Sequence, residues 1–180
     1  MNRCDFMNLK TIHLIGTVFT VVLGVLLHFA YDLSGGGDFV AIFSAVNEST
    51  WEHLKLLYFP VVIFAVAEYF IYGKNTVGFW ASKTIALIAS LLLIVVGFYT
   101  YTGVLGESVS VVNIMLFIVA AVLNYYLSYS FIEINAFENT SINRACILIL
   151  IILFICFWVF TFYPPLINLF RDPVSGGFGI

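Results

Sequence analysis

Five apolar runs, each close to the roughly 20 residues that one helix needs to cross a hydrocarbon layer, constrain this chain more than any other feature. They fall at about 11–31, 54–72, 84–103, 109–131 and 145–163. Inside a bilayer the backbone has no water to bond, so runs of this length are expected to be helices that satisfy their own N–H and C=O groups. With 62% hydrophobic and 9% charged residues, and a mean hydropathy of +1.08, the chain has too little polar surface to solvate itself. The expected fold is therefore all-α: one polytopic membrane helix bundle spanning residues 1–180, with the lipid bilayer as its main partner.

The net charge of -3 and the lack of a Lys/Arg cluster exclude nucleic acid as a partner. Cys146 and Cys156 lie ten positions apart in one apolar run, too far for a disulfide if that run is helical; with Cys4 they read as packing residues. Arg3 and Lys10 before the first run resemble the start of a secretory signal. The run is too long for one and lacks a cleavage site, so it is expected to be retained as a helix.

Alternating five helices puts Arg3, Lys10, Lys74, Lys83 and Arg144 on one side and only Lys55 and Arg171 on the other. The positive-inside rule then predicts a multi-pass cell-membrane protein with a cytoplasmic N-terminus and an outer C-terminus. Trp51, Tyr58, Tyr99, Tyr101 and Tyr163 are expected in the outer interfacial belt.

The first outer loop, 32–53, combines a flexible Ser34-Gly35-Gly36-Gly37 turn with a short apolar helix over 38–46 that Asp38 is expected to cap. That segment, too short to span, is expected to lie in the interface or to re-enter the bundle. Pro164-Pro165 ends the last helix, and the tail 164–180, with apolar Leu166, Ile167, Leu169 and Phe170, is expected to fold back over the outer face.

Six ionisable groups crowd the outer ends of the first two spans: His28, Asp32, Glu48, Glu52, His53 and Lys55. Charged groups beside hydrocarbon are costly unless paired or coordinated. Histidine nitrogens with a carboxylate suit zinc, so His28 and His53 are the candidate ligands. One of Glu48 or Glu52 would complete the set and the other would serve as general base. Asp32, Asn47, Ser49, Trp51 and Lys55 are candidate substrate-binding or supporting residues for a small polar or lipid-like ligand. A structural reading stands beside this one: Ser49-Thr50-Trp51-Glu52 matches a capping box, Asp32 pairs with Lys55, and His28 bonds within the bundle. Between them stands a ligand site without chemistry, in a transporter or solute-binding subunit.

Glu68, inside the second span, is a candidate for proton or ion coupling, or else pairs with Lys74 or Lys83. Asn113 and Asn124 are expected to bond between helices. His13, about 22 Å along the helix from His28, is assigned to the inner interface.

His28 with Asp32, the run Val46-Asn47-Glu48-Ser49-Thr50-Trp51-Glu52-His53-Leu54-Lys55, and the tail elements Pro164-Pro165, Asp172-Pro173 and Gly177-Phe178-Gly179 resemble a domain-of-unknown-function family of small bacterial integral membrane proteins. The resemblance spans nearly the whole chain, with a tyrosine expected in place of Phe178. It implies architecture and a bacterial membrane location, and no activity. Ser49-x-x-x-His53 is also similar to the serine and histidine of the membrane hydrolases that include alkaline ceramidases. Those have seven helices and a late His-x-x-x-His pair that this chain lacks, so their activity is not carried over.

Overall fold

The computed structural model describes residues 3–180, with side chains from residue 9 onward; the Arg3 and Cys4 side chains lie outside the described residues. Its helices are α1 (Arg3–Leu33), α2 (Asp38–Ala41), α3 (Thr50–Ile71), α4 (Phe79–Leu105), α5 (Ser110–Glu133) and α6 (Thr140–Phe162), with single 3-10 turns at Gly73–Asn75 and Asn168–Phe170. Among the described residues, five stretches are long and apolar enough to cross a membrane: Leu9–Leu33 of α1 and the whole of α3, α4, α5 and α6. The molecule is a multi-pass membrane protein built as an all-helical bundle. Its spans run up and down, so the α1–α3 connection, the α4–α5 turn and the C-terminal tail share one end, called here the loop end.

Several expected boundaries move. α3 begins at Thr50 rather than 54, because Ser49 accepts the Glu52 N–H at 3.4 Å and caps it there. α4 begins at Phe79, which places Lys83 inside the helix. α2 is a single turn, shorter than the expected 38–46 segment. Asp38 is its first residue and not its cap; Gly37 holds that position without a side-chain bond.

α3 and α4 form the centre of the bundle: 56% and 50% of their apolar windows are buried, against 22% in α1, α5 and α6. The outer three helices turn Leu14, Val18, Val22, Ile114, Val122, Ile151 and similar residues outward, as lipid-facing surface requires. The main core joins Leu57, Tyr58, Phe59 and Val61 of α3 to Leu87 and Leu91 of α4, Ala120, Ala121 and Tyr125 of α5, and Leu150 and Phe157 of α6.

Pro60 lies inside α3 and lacks the N–H that would bond the Leu56 carbonyl four residues earlier. α1 closes on that place with Gly24, where a Cβ would lie 2.6 Å from Leu56 O. Without lateral hydrophobic driving force in lipid, such a close backbone approach is what small residues supply at helix interfaces.

Tyr58 and Trp51 are not belt residues. Tyr58 is buried and its hydroxyl donates to Leu150 O at 2.6 Å. Trp51 stacks between Phe157 at 4.7 Å and Phe170 at 4.8 Å, so an aromatic expected to face the interface instead joins α3, α6 and the tail. Tyr99 and Tyr163 are exposed, at the loop end.

Candidate functional site

His28 lies one and a half turns before the end of α1, and His53 lies in the first turn of α3. Between them the loop leading into α3 presents Glu48. Its carboxylate oxygens stand 3.8 Å from His28 Nε2 and 3.4 Å from His53 Nε2, and the imidazole centroids are 5.3 Å apart. One ligand atom from each of the three residues falls within 4.8 Å of the others. The histidine side chains are 29% exposed and Glu48 51%, which leaves one side of the cluster open.

His53 Nδ1 lies 2.9 Å from Ser49 O, which can only accept, so this nitrogen carries the hydrogen. A neutral His53 therefore turns the Nε2 lone pair toward the Glu48 carboxylate. Two electron-rich atoms 3.4 Å apart repel unless a cation lies between them, either a proton on the ring or a metal ion. His28 packs edge-on against Phe29 at 4.9 Å, and its Nδ1 is buried without a hydrogen-bond partner. Packing, not a hydrogen bond, orients that ring.

The remaining candidates divide. Glu52, expected as ligand, base or half of a capping box, gives its backbone N–H to Ser49 but turns its carboxylate away from the histidine cluster. It is buried at 2% exposure and forms an ion pair with Lys55, itself fully buried. The pair is closed on all sides. Val46 N–H donates to Glu52 at 3.1 Å, Thr161 of α6 bonds Glu52 at 3.1 Å, and Lys55 donates to Ala41 O at 2.8 Å and to Thr161 at 2.9 Å. Glu52 thus fastens the re-entrant segment to α3 and α6, and Ser49 N–H bonds Asn47 Oδ1 instead of completing a reciprocal box with Glu52. Asp32 is exposed, and the partner of Lys55 is Glu52 rather than Asp32.

Asn47 Nδ2 donates to Gly179 O at 2.9 Å, which ties the loop to the C-terminal tail. That tail is folded on the loop end as its apolar residues suggest: Phe170 is buried against Trp51, and Arg171 pairs with Phe178 in an isolated antiparallel bridge. Asp172 accepts from Val174 N at 2.9 Å, Ser175 N at 3.2 Å and the Ser175 hydroxyl at 2.5 Å. Burial alone raises the Asp172 carboxyl, but the Ser175 hydroxyl and the N–H groups of Val174, Ser175 and Glu48 outweigh it and hold the group below the usual carboxylate range.

A second polar cluster lies toward the opposite end. Glu68 meets Lys83 at 2.5 Å and accepts from the Tyr72 hydroxyl at 2.8 Å. His13, assigned to the interface from the sequence, is instead buried at 4% exposure. Its Nδ1 donates to Leu9 O at 2.9 Å, and its Nε2 lies 3.3 Å from Lys83 Nζ and 3.2 Å from Ser128 Oγ. The position within the sequence suggested a helix end; the helix begins earlier, so His13 sits one turn deeper. This histidine already has its cation in Lys83, whereas the pair at the loop end faces a carboxylate. Asn113 accepts from the Tyr101 hydroxyl and donates to Ser108 at 3.0 Å, closing the α4–α5 turn; Asn124 is fully buried with both amide atoms unpaired. Cys146 and Cys156 are free thiols.

Five apolar spans around a central helix pair, with polar clusters at each end, define a polytopic α-helical membrane protein. The chain belongs to the Family of unknown function (DUF6512), whose model matches residues 1–180. No curated protein and no solved structure matches it significantly.

Proposed function

We propose that this membrane protein binds a divalent transition metal, zinc by its ligand chemistry, through His28, Glu48 and His53, and that the centre is of the hydrolytic type. The observation that carries this reading is the convergence of two imidazoles and one carboxylate, from two helices and a loop, within 4.8 Å. With metal–ligand bonds near 2 Å, donors of a tetrahedral site stand about 3.3 Å apart. The 3.4 and 3.8 Å separations are close to that spacing. The His53 Nδ1–Ser49 O bond is the kind of outer contact that fixes a ligating imidazole's tautomer and aim.

His28, Glu48 and His53 would hold the metal with one position left open, and the metal would supply Lewis-acid activation of water for hydrolysis at a carbonyl or phosphoryl centre. The reaction class is hydrolysis of a lipid-like or peptide substrate presented at the membrane surface. Glu48 acts here as ligand, and Glu52, held by Lys55 and Thr161, is not available as a base. Proton coupling at Glu68 finds less support, since Lys83 and Tyr72 already occupy both of its oxygens.

On this reading the site faces the outer side of a cell membrane, with the N-terminus cytoplasmic, a direction that the distribution of basic residues supports. Lys55 and Lys83 are buried in ion pairs and do not count as loop charge. Lys10, Lys74 and Arg144 still outnumber Arg171.

The test is metal analysis of the full chain purified in detergent, by equilibrium dialysis against zinc. One zinc per chain is expected in the wild type and in Glu52→Gln, and none in His28→Ala or His53→Ala with helix content retained. Zinc bound equally by the two histidine variants would overturn the reading.

A further inference from the structure

Glu48 differs from the two histidines in having no helix beneath it. His28 and His53 are carried by α1 and α3, whereas Glu48 belongs to the loop of turns and bends between α2 and the Ser49 cap. A half-exposed glutamate on a loop loses side-chain and backbone entropy when it is held on a metal, unless something else has already fixed its backbone.

The C-terminal tail provides that fixation at the residue before it. The Asn47 side chain donates to Gly179 O at 2.9 Å while its Oδ1 accepts Ser49 N–H at 2.9 Å, so the loop closes around Glu48. Asp172 is 7% exposed, and its own turn through Ser175 and Gly176 N, with Gly176 donating to Asp172 O at 2.9 Å, is closed.

The tail is in turn seated by features that serve no purpose in a free extension. Phe170 packs on Trp51 and on Phe160 at 5.4 Å. Gly179 adopts φ +65°, and a Cβ there would lie 2.9 Å from Thr161 O and 3.0 Å from Pro164. Only glycine fits, and that close fit brings Gly179 O to Asn47. Thr161 is also the residue that bonds both Glu52 and Lys55, so the seat of the tail and the anchor of the loop are one structure.

Resting on the zinc-site reading above, we infer that the C-terminal tail is a positioning strap for the metal centre, with the Asn47–Gly179 bond holding Glu48 in ligating position over His28 and His53. Asn47 and Gly179 are positioning residues; neither contacts the metal. Outer-shell partners of metal ligands typically contribute about 10- to 100-fold in affinity.

The experiment measures zinc affinity of the detergent-purified full chain by chelator competition, with Co²⁺ absorption as a second readout. Gly179→Ala, which unseats the tail, and Asn47→Ala, which removes its bond to the loop, are each expected to weaken zinc by about 10- to 100-fold. Both should also shift the Co²⁺ spectrum toward that of Glu48→Gln. In a Glu48→Gln background the same substitutions should cost nothing further, because the ligand they position is already gone. Wild-type affinity in Asn47→Ala, or a loss that adds in full to that of Glu48→Gln, overturns the strap while leaving the zinc site standing. If Gly179→Ala does not fold, Asn47→Ala carries the same comparison. A wild-type chain that binds no zinc overturns the site and the strap together.

Discussion

The Lys83 ammonium lies 2.5 Å from a Glu68 carboxylate oxygen, joining α4 to α3 through two side chains that are almost wholly buried. Removing one member of such a pair leaves the other charge uncompensated, at a cost of about 3–5 kcal/mol, whereas removing both together costs much less. Lys83→Met is therefore expected to lower the unfolding free energy in mixed micelles by about 3–5 kcal/mol. The Lys83→Met/Glu68→Gln double variant should recover most of that loss. A double variant as unstable as the sum of the singles would count against a mutual pairing.

Glu48 and Glu52, four positions apart, are expected to respond oppositely to the same change. Glu52→Gln leaves the Lys55 ammonium buried without its anion, so unfolding in denaturant should shift by about 3 kcal/mol while zinc stoichiometry is kept. Glu48→Gln should scarcely alter unfolding, the side chain being half exposed, and should lose zinc affinity. Interchanged phenotypes would refute the assignment of the two carboxylates.

Trp51 joins α3, α6 and the tail by ring packing alone, and its indole N–H has no partner. Trp51→Ala should cost about 3–5 kcal/mol, as for other large aromatic truncations. It should also expose the tail to proteolysis. Trp51→Phe loses no hydrogen bond, so it should cost well under half as much. Limited proteolysis after residue 163 and thermal unfolding would measure both effects.

Gly24 faces the Leu56 carbonyl that Pro60 leaves without its helical partner. Gly24→Val would put a side chain into a space that closes at 2.6 Å, so α1 must move away from α3. A lower unfolding temperature in micelles, and lost zinc affinity because His28 rides on α1, are the expected outcomes. Unchanged stability would mean that the helices are not in close backbone contact there.

The spans were legible because a bilayer imposes one length and one polarity on any segment that crosses it, and five apolar runs satisfy both. His28, Glu48 and His53 were legible as ionisable groups with no cheap place beside hydrocarbon. Their partition was not. Glu48 and Glu52 are near-equal in sequence, and it is contacts from outside the helix, with Val46 N–H and with Thr161 more than a hundred residues away, that enclose Glu52 with Lys55. His13 was misplaced for a related reason: α1 begins several residues before the apolar run, so a residue that looked terminal lies within the helix.

From its sequence alone this protein was bound to be a helical membrane bundle, because hydropathy and backbone hydrogen bonding act locally along each span. The capping serine and the helix-ending prolines belong to the same local chemistry. Where the tail seats, which charges are closed off together, and which three donors converge, depended on tertiary structure. Those outcomes are set by distances between helices: even the Glu52–Lys55 pair, one turn apart on α3, is enclosed by Val46 and Thr161 from elsewhere in the bundle.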